Sequence, residues 1–148
     1  MIETNRTYQL LAMLGTLPFL AGAGMAISGL TLGPLVSASV VASSYGLAIL
    51  SFLCGAHWAT YLYKKDETPF NLLLISNIVV VAIWGTYVLL GQSPFTLASQ
   101  VLAFAFLLDI DRRLLRVGLI SAHYFQVRLQ ATTIAAISLL IILYVYVA

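Results

Sequence analysis

Five apolar runs, over about residues 7–27, 36–63, 70–90, 94–110 and 124–147, take up most of this chain. A helix needs roughly 20 apolar residues to cross about 30 Å of hydrocarbon, and the runs approach that length, the fourth being the shortest. They are continuous, without the alternation of a membrane strand, so helices are the form that satisfies their backbone polar groups. Composition closes off a soluble alternative. Of 148 residues, 61% are hydrophobic and 8% charged, with a mean hydropathy of +1.02, whereas a soluble domain carries roughly 25% charged residues. Seven Lys/Arg against five Asp/Glu exclude the basic face of a nucleic-acid binder, and the apolar content excludes disorder. The expected architecture is an all-α integral membrane protein, a single membrane domain over residues 1–148 folded as a five-transmembrane-helix bundle.

The breaks between runs set boundaries and orientation. Pro34, Pro69 and Pro94 stand where new helices begin, and Gly33 and Gly91 where helices or turns end. The first and third connections are short and uncharged, which makes consecutive helices antiparallel neighbours. Placing the N-terminus in the cytoplasm puts Arg6, Lys64, Lys65, Arg112, Arg113, Arg116 and Arg128 on the inner side, and leaves the outer connections and the C-terminus without Lys or Arg. The C-terminus is then outside. The stretch from Asp109 to Phe125 mixes Arg with Leu, Val and Ile, which fits a short interfacial helix before the last span. The first run loosely resembles a signal peptide, but it continues through Met25-Ala26-Ile27 and contains Pro18. No internal repeat supports an inverted-repeat transporter.

Small residues mark helix packing. Gly15, Gly22 and Gly29 repeat every seventh position, and Ser44, Ala48, Ser51, Gly55 and Ala59 form a second stripe on the second run. These stripes are expected to face each other. Lone Cys54 reads as a small buried hydrophobe, and no metal-ligand spacing is present.

Ionisable and polar groups inside apolar runs are the candidates for function. His57 lies inside the second span, with Ser76 and Asn77 at a similar depth in the third, and Arg128 is the deepest cation. Asp109 is the expected partner of Arg128. If His57, Asn77, Asp109 and Arg128 converge, with Ser76 and Trp58 beside them, they form a polar pocket open to the cytoplasmic leaflet, suited to a lipid phosphate, a quinone head or an anionic metabolite. The bland alternative is that His57 glues helices together and Arg128 snorkels to the headgroups. His57 and His123 could in principle face one another as haem ligands, but their depths match poorly, so no cofactor is assigned. No nucleophile–base–acid set and no phosphate-binding glycine loop is visible. The carboxylates are all expected at the aqueous or interfacial side.

Three strings carry a family resemblance. Leu14-Gly15-Thr16-Leu17-Pro18-Phe19 looks like an LGxxPF motif; Ile49 to Trp58 (ILSFLCGAHW) looks like an ILSFLGGxHWG signature; His123 to Leu129 followed by Thr132 is similar to a WYxxLRxxLT element. Together they resemble the domain of unknown function 3429 family, the transmembrane protein 69-like proteins, over nearly the whole chain. Cys54, Ala56, Ala59 and His123 depart from the pattern, and Ser76-Asn77-Ile78-Val79 lacks a family proline. The resemblance implies that His57, Trp58 and Arg128 occupy motif positions. It also implies a bacterial inner membrane, or a mitochondrial inner membrane in a eukaryote, and brings no established activity. The expected role is therefore non-catalytic: an accessory or assembly protein in the lipid bilayer, with a membrane-protein partner or a second copy, or a binder of a lipid or quinone, with no nucleic acid. A small-solute transporter, or a membrane-embedded redox or lipid-modifying enzyme using His57, are the alternatives.

Overall fold

Proline and the polar breaks divide the chain as a helix-by-helix reading would, with one further division inside the first span. The computed structural model describes residues 2–33 and 36–148, with side chains from Arg6 onward; Pro34 lies outside the described residues. Its helices are α1 (Ile2–Leu14), α2 (Leu17–Ser28), α3 (Ala38–Lys64), α4 (Leu72–Leu90), α5 (Pro94–Arg116) and α6 (Ala122–Val147). A single 3-10 turn, Lys65–Glu67, follows α3, and there is no strand among the described residues. Helices α3 to α6 run 27, 19, 23 and 26 residues. At about 1.5 Å per residue even the shortest spans nearly the hydrocarbon thickness. With the combined first span Arg6–Ser28, five segments are long and apolar enough to cross a membrane.

Each start has a local cause. Ser37, Asn71, Ser93 and Ser121 cap α3 to α6, each side-chain oxygen accepting a backbone N–H in the first turn. Pro94 follows the Ser93 cap, where its missing N–H costs nothing. Gly91 ends α4 with φ 59°. Gly29, expected in a packing stripe, instead closes α2 in the left-handed region at φ 66°. The first span breaks because Pro18, at the start of α2, offers no N–H to the preceding turn and crowds its carbonyls. Tyr45 of α3 donates its hydroxyl to the freed region, at the Gly15 carbonyl, 3.0 Å away.

Packing closes a ring: α2 lies against α3 and α6, α3 against α4, α4 against α5, and α5 against α6, with α3 also touching α5 across the centre. The consecutive neighbours expected from the short uncharged connections are therefore present. Phe19, Leu50, Phe104, Leu107 and Leu139 fill the middle. Above the break, α1 packs mainly on α6.

Two expectations are corrected. Asp109 to Arg116 do not leave the bundle as a separate helix, because α5 continues through them without interruption to a turn at Gly118. The charges interrupted the hydropathy, not the helix. The small-residue stripes do not meet either. Ser44, Ala48, Ser51, Gly55 and Ala59 all lie exposed on the outer side of α3, and among the three heptad glycines only Gly22 makes a close interhelical approach, to Ala38 and Ala42. The close approach of α3 to α5 occurs at Gly46, where a Cβ would collide with the buried Gln100 amide. Gln100 is fully buried and donates to the Ser43 carbonyl at 2.7 Å.

Gly46→Ala is expected to destabilise the bundle by about 1–3 kcal/mol through overpacking. Gly55→Ala, whose Cβ meets no atom within 4 Å, should be neutral or stabilising by up to about 1 kcal/mol through helix propensity. Denaturant titration of both variants in micelles, followed by circular dichroism, distinguishes the two; equal effects would show that α3 does not approach α5 at Gly46.

Candidate functional site

One end of the bundle holds a buried charge cluster built from three helices. Asp111 of α5 is 1% exposed, His57 of α3 is 4%, and Arg128 of α6 is 8%. Arg128 Nε donates to Asp111 Oδ2 at 2.9 Å, and His57 Nε2 lies 2.8 Å from Oδ1. A carboxylate only accepts, so Nε2 is the donor and carries a proton. His57 Nδ1 is buried and without a partner. Asp111 neutralises Arg128 directly, the arrangement that apolar surroundings demand of a buried ion.

The expected partner of Arg128 was Asp109, and here the structure differs. Asp109 lies in an exposed bridge to Arg113, 2.8 Å long and one turn away on the same helix. Two residues apart on a helix is about 200° of rotation, so Asp109 and Asp111 occupy opposite faces. Nor do all the carboxylates sit at the aqueous side, since Asp111 is enclosed. Asn77 is exposed and donates to its own helix at Leu73. Ser76 is buried but also bonds back within α4, to the Leu72 carbonyl. Trp58 is 41% exposed on the outside of α3. The predicted four-residue pocket thus reduces to His57 and Arg128, joined by a residue that sequence reasoning assigned elsewhere. A signal for it exists: Gln100, Phe104, Leu107, Asp111 and Leu114 recur at helical spacing and form one buried face of α5.

Beside this cluster lies a cavity of about 390 Å³ between α1, α2, α3, α5 and α6. Its walls are largely apolar, with Phe19, Leu53 and Phe104 deep and Leu11 and Phe52 at its exposed margin. Tyr8, Tyr124, Arg128 and Thr132 supply the polar part of the lining. Tyr8 and Tyr124 stack at 5.5 Å between centroids and 14° between planes, tying α1 to α6. Three of these residues keep a buried polar atom with no partner: the Tyr8 hydroxyl, Arg128 Nη2 and the Thr132 hydroxyl. Thr132 shares this with the buried Ser43 of α3, outside the cavity lining. Ser44, Ser51, Thr60 and Ser76 each satisfy their hydroxyls on the carbonyl four residues back, as helical Ser and Thr commonly do.

The cavity follows from the break in the first span. Below it α2 packs on both α3 and α6, whereas α1 packs mainly on α6, so α3 and α1 part. A larger, more open hollow of about 540 Å³ lies at the other end, near Gly29, Ser39, Gln92 and Tyr146. No charged residue and none of the unpartnered buried atoms line it, so the smaller cavity carries the chemistry. Among the described residues no three His, Cys, Asp or Glu side chains gather as a metal-holding group.

Asp111→Asn should destabilise the protein by about 3–5 kcal/mol by leaving Arg128 buried and unpaired, while Asp109→Asn, at an exposed helix pair, should change stability by less than about 0.5 kcal/mol. Chemical denaturation in one detergent compares them. Similar losses would mean that Asp109, not Asp111, holds the arginine.

The family model described as Protein of unknown function (DUF3429) matches residues 4–144, nearly the whole chain. No curated protein and no solved structure matches it.

Proposed function

The chain belongs to the DUF3429 family, and on that footing we propose that it is a non-catalytic membrane protein that holds a lipid or a quinone in the cavity beside Arg128. The observation that carries this reading is that one cavity is lined by an apolar wall and by three residues that each keep an unpartnered buried polar atom. Unsatisfied buried donors cost about 1–3 kcal/mol each, a cost that an occupant with acceptors removes. Most ligand sites share this make-up, apolar walls with a few placed polar groups.

Orientation follows from charge. Arg6 opens the first span, Lys64 ends α3 with Lys65 next to it, Arg112, Arg113 and Arg116 end α5, and Arg128 lies in the early turns of α6. By alternation of the helices these positions share one end of the bundle, which the positive-inside rule assigns to the cytoplasm or its mitochondrial equivalent. The N-terminus is then inside, the C-terminus outside, and the charged end of α5 lies in the inner headgroup region. The cavity faces the same leaflet. An accessory role draws on the outer face of α3, where the small residues from Ser44 to Ala59 leave room for a neighbouring helix of a partner or a second copy.

Native mass measurement in mild detergent tests the ligand reading. The wild type should retain a defined adduct, and Ala131→Phe, which fills the cavity from α6 without removing a polar group, should lose it. A bare wild-type chain, or the same adduct on Ala131→Phe, overturns the reading. Topology is checked separately in intact cells carrying Cys54→Ser: a cysteine at Gln92 should react with a membrane-impermeant maleimide and one at Asp66 should not.

A further inference from the structure

Resting on that cavity reading, we infer that the head of the ligand is a neutral, planar, carbonyl-bearing ring, the chemistry of an isoprenoid quinone, and not an anion. Donor inventory is the first reason. Arg128 can only donate, so its spare Nη2 demands an acceptor, and the unpartnered hydroxyls of Tyr8 and Thr132, which donate as well as accept, can serve the same acceptor. A matching head therefore presents acceptor oxygens.

Charge is the second. Asp111 already neutralises Arg128 across a 2.9 Å hydrogen bond, and His57 is committed to the same carboxylate. An anionic head would place a second negative charge beside Asp111 with one arginine to serve both, inside an apolar enclosure. A carbonyl oxygen takes the spare N–H and adds no charge to the cluster.

Shape is the third. Tyr8 and Tyr124 form a stacked pair at the polar part of the lining, and Phe19 and Phe104 pack edge to face at 5.7 Å deeper in. Flat rings suit such walls, where offset and edge contacts add to burial. A cavity of about 390 Å³ is at the small end of the roughly 300–1,000 Å³ that hold ligands, enough for a ring and the start of a tail. The tail would leave past Leu11 and Phe52, which line the cavity and are 63% and 72% exposed on the outside of the bundle.

The test is calorimetric titration of the full chain in detergent with decylubiquinone, oleate and monoolein. The companion variant is Tyr8→Phe/Thr132→Val, which removes two donors, keeps the side-chain shapes and leaves His57, Asp111 and Arg128 in place. Decylubiquinone should bind the wild type most tightly of the three, and the double variant should bind it about tenfold or more weakly. Unchanged quinone affinity in that variant overturns the inference. Tighter binding of oleate overturns the neutral head, and tighter binding of monoolein overturns the ring; in either case the cavity reading stands. If none of the three binds, the cavity reading falls with it.

Discussion

The carboxylate of Asp111 is the constraint on which this end of the molecule depends. It sits almost fully enclosed, and its two oxygens are taken by donors from two other helices, His57 on α3 and Arg128 on α6. In an apolar enclosure a carboxylate without donors would be far more costly than any packing contact nearby is favourable. Three helices are therefore fixed in rotation and in height at one point. Packing alone is a weak guide to register in a membrane, where lipid tails compete on nearly equal terms with side chains. Farther along the bundle Gln100 does a milder version of the same thing, reaching from α5 to the Ser43 carbonyl across the gap that Gly46 leaves open.

The break in the first span acts on that framework. A straight helix over Arg6–Ser28 would lie along one groove of the bundle. With Pro18 interrupting it, α2 keeps the groove between α3 and α6 while α1 follows α6. Tyr45 holds the break by capturing the Gly15 carbonyl, and Tyr8 stacked on Tyr124 holds α1 where it diverges. The cavity is the space between those two fastenings. Tyr8 of α1 and Tyr124, Arg128 and Thr132 of α6 bring polar groups to its lining, and all of α1, α2, α3, α5 and α6 contribute to its apolar wall.

What could be read without the fold and what could not divide along a physical line. Span number and helical class follow from hydropathy, which is a property of local windows, and the capping serines and Pro94 mark boundaries for equally local reasons. Rotation about each helix axis is not local. The stripe from Ser44 to Ala59 is a correct helical face, yet small residues pack against a helix or leave a face bare with the same spacing, and here the face is bare. Asp109 and Asp111 show the same ambiguity in charge. Treating them as a helix end placed both in the headgroups, whereas following the buried face from Gln100 to Leu114 through the charges puts Asp111 inside and Asp109 out. His57 and Arg128 were legible because each is an ionisable group inside an apolar run. Tyr8 and Thr132 were not, because their interest lies in lacking a partner, which no sequence displays.

Arg128 belongs to both systems, and this couples them. Its Nε fixes the helix register through Asp111, while Nη2 has no partner and the side chain lines the cavity. An occupant that accepts from Nη2 binds the folded arrangement and not the unfolded chain, so it adds stability that grows with the logarithm of its concentration over its dissociation constant. The same guanidinium is then better held against Asp111, because its second hydrogen-bonding edge no longer lacks an acceptor. On the proposed reading, the three helices joined at Asp111 are set both by the ion pair and by what fills the hollow next to it. If the cavity holds a ligand as proposed, a protein stripped of it by harsh detergent should loosen first at α1, whose attachment is largely to α6, before the ring of longer helices gives way.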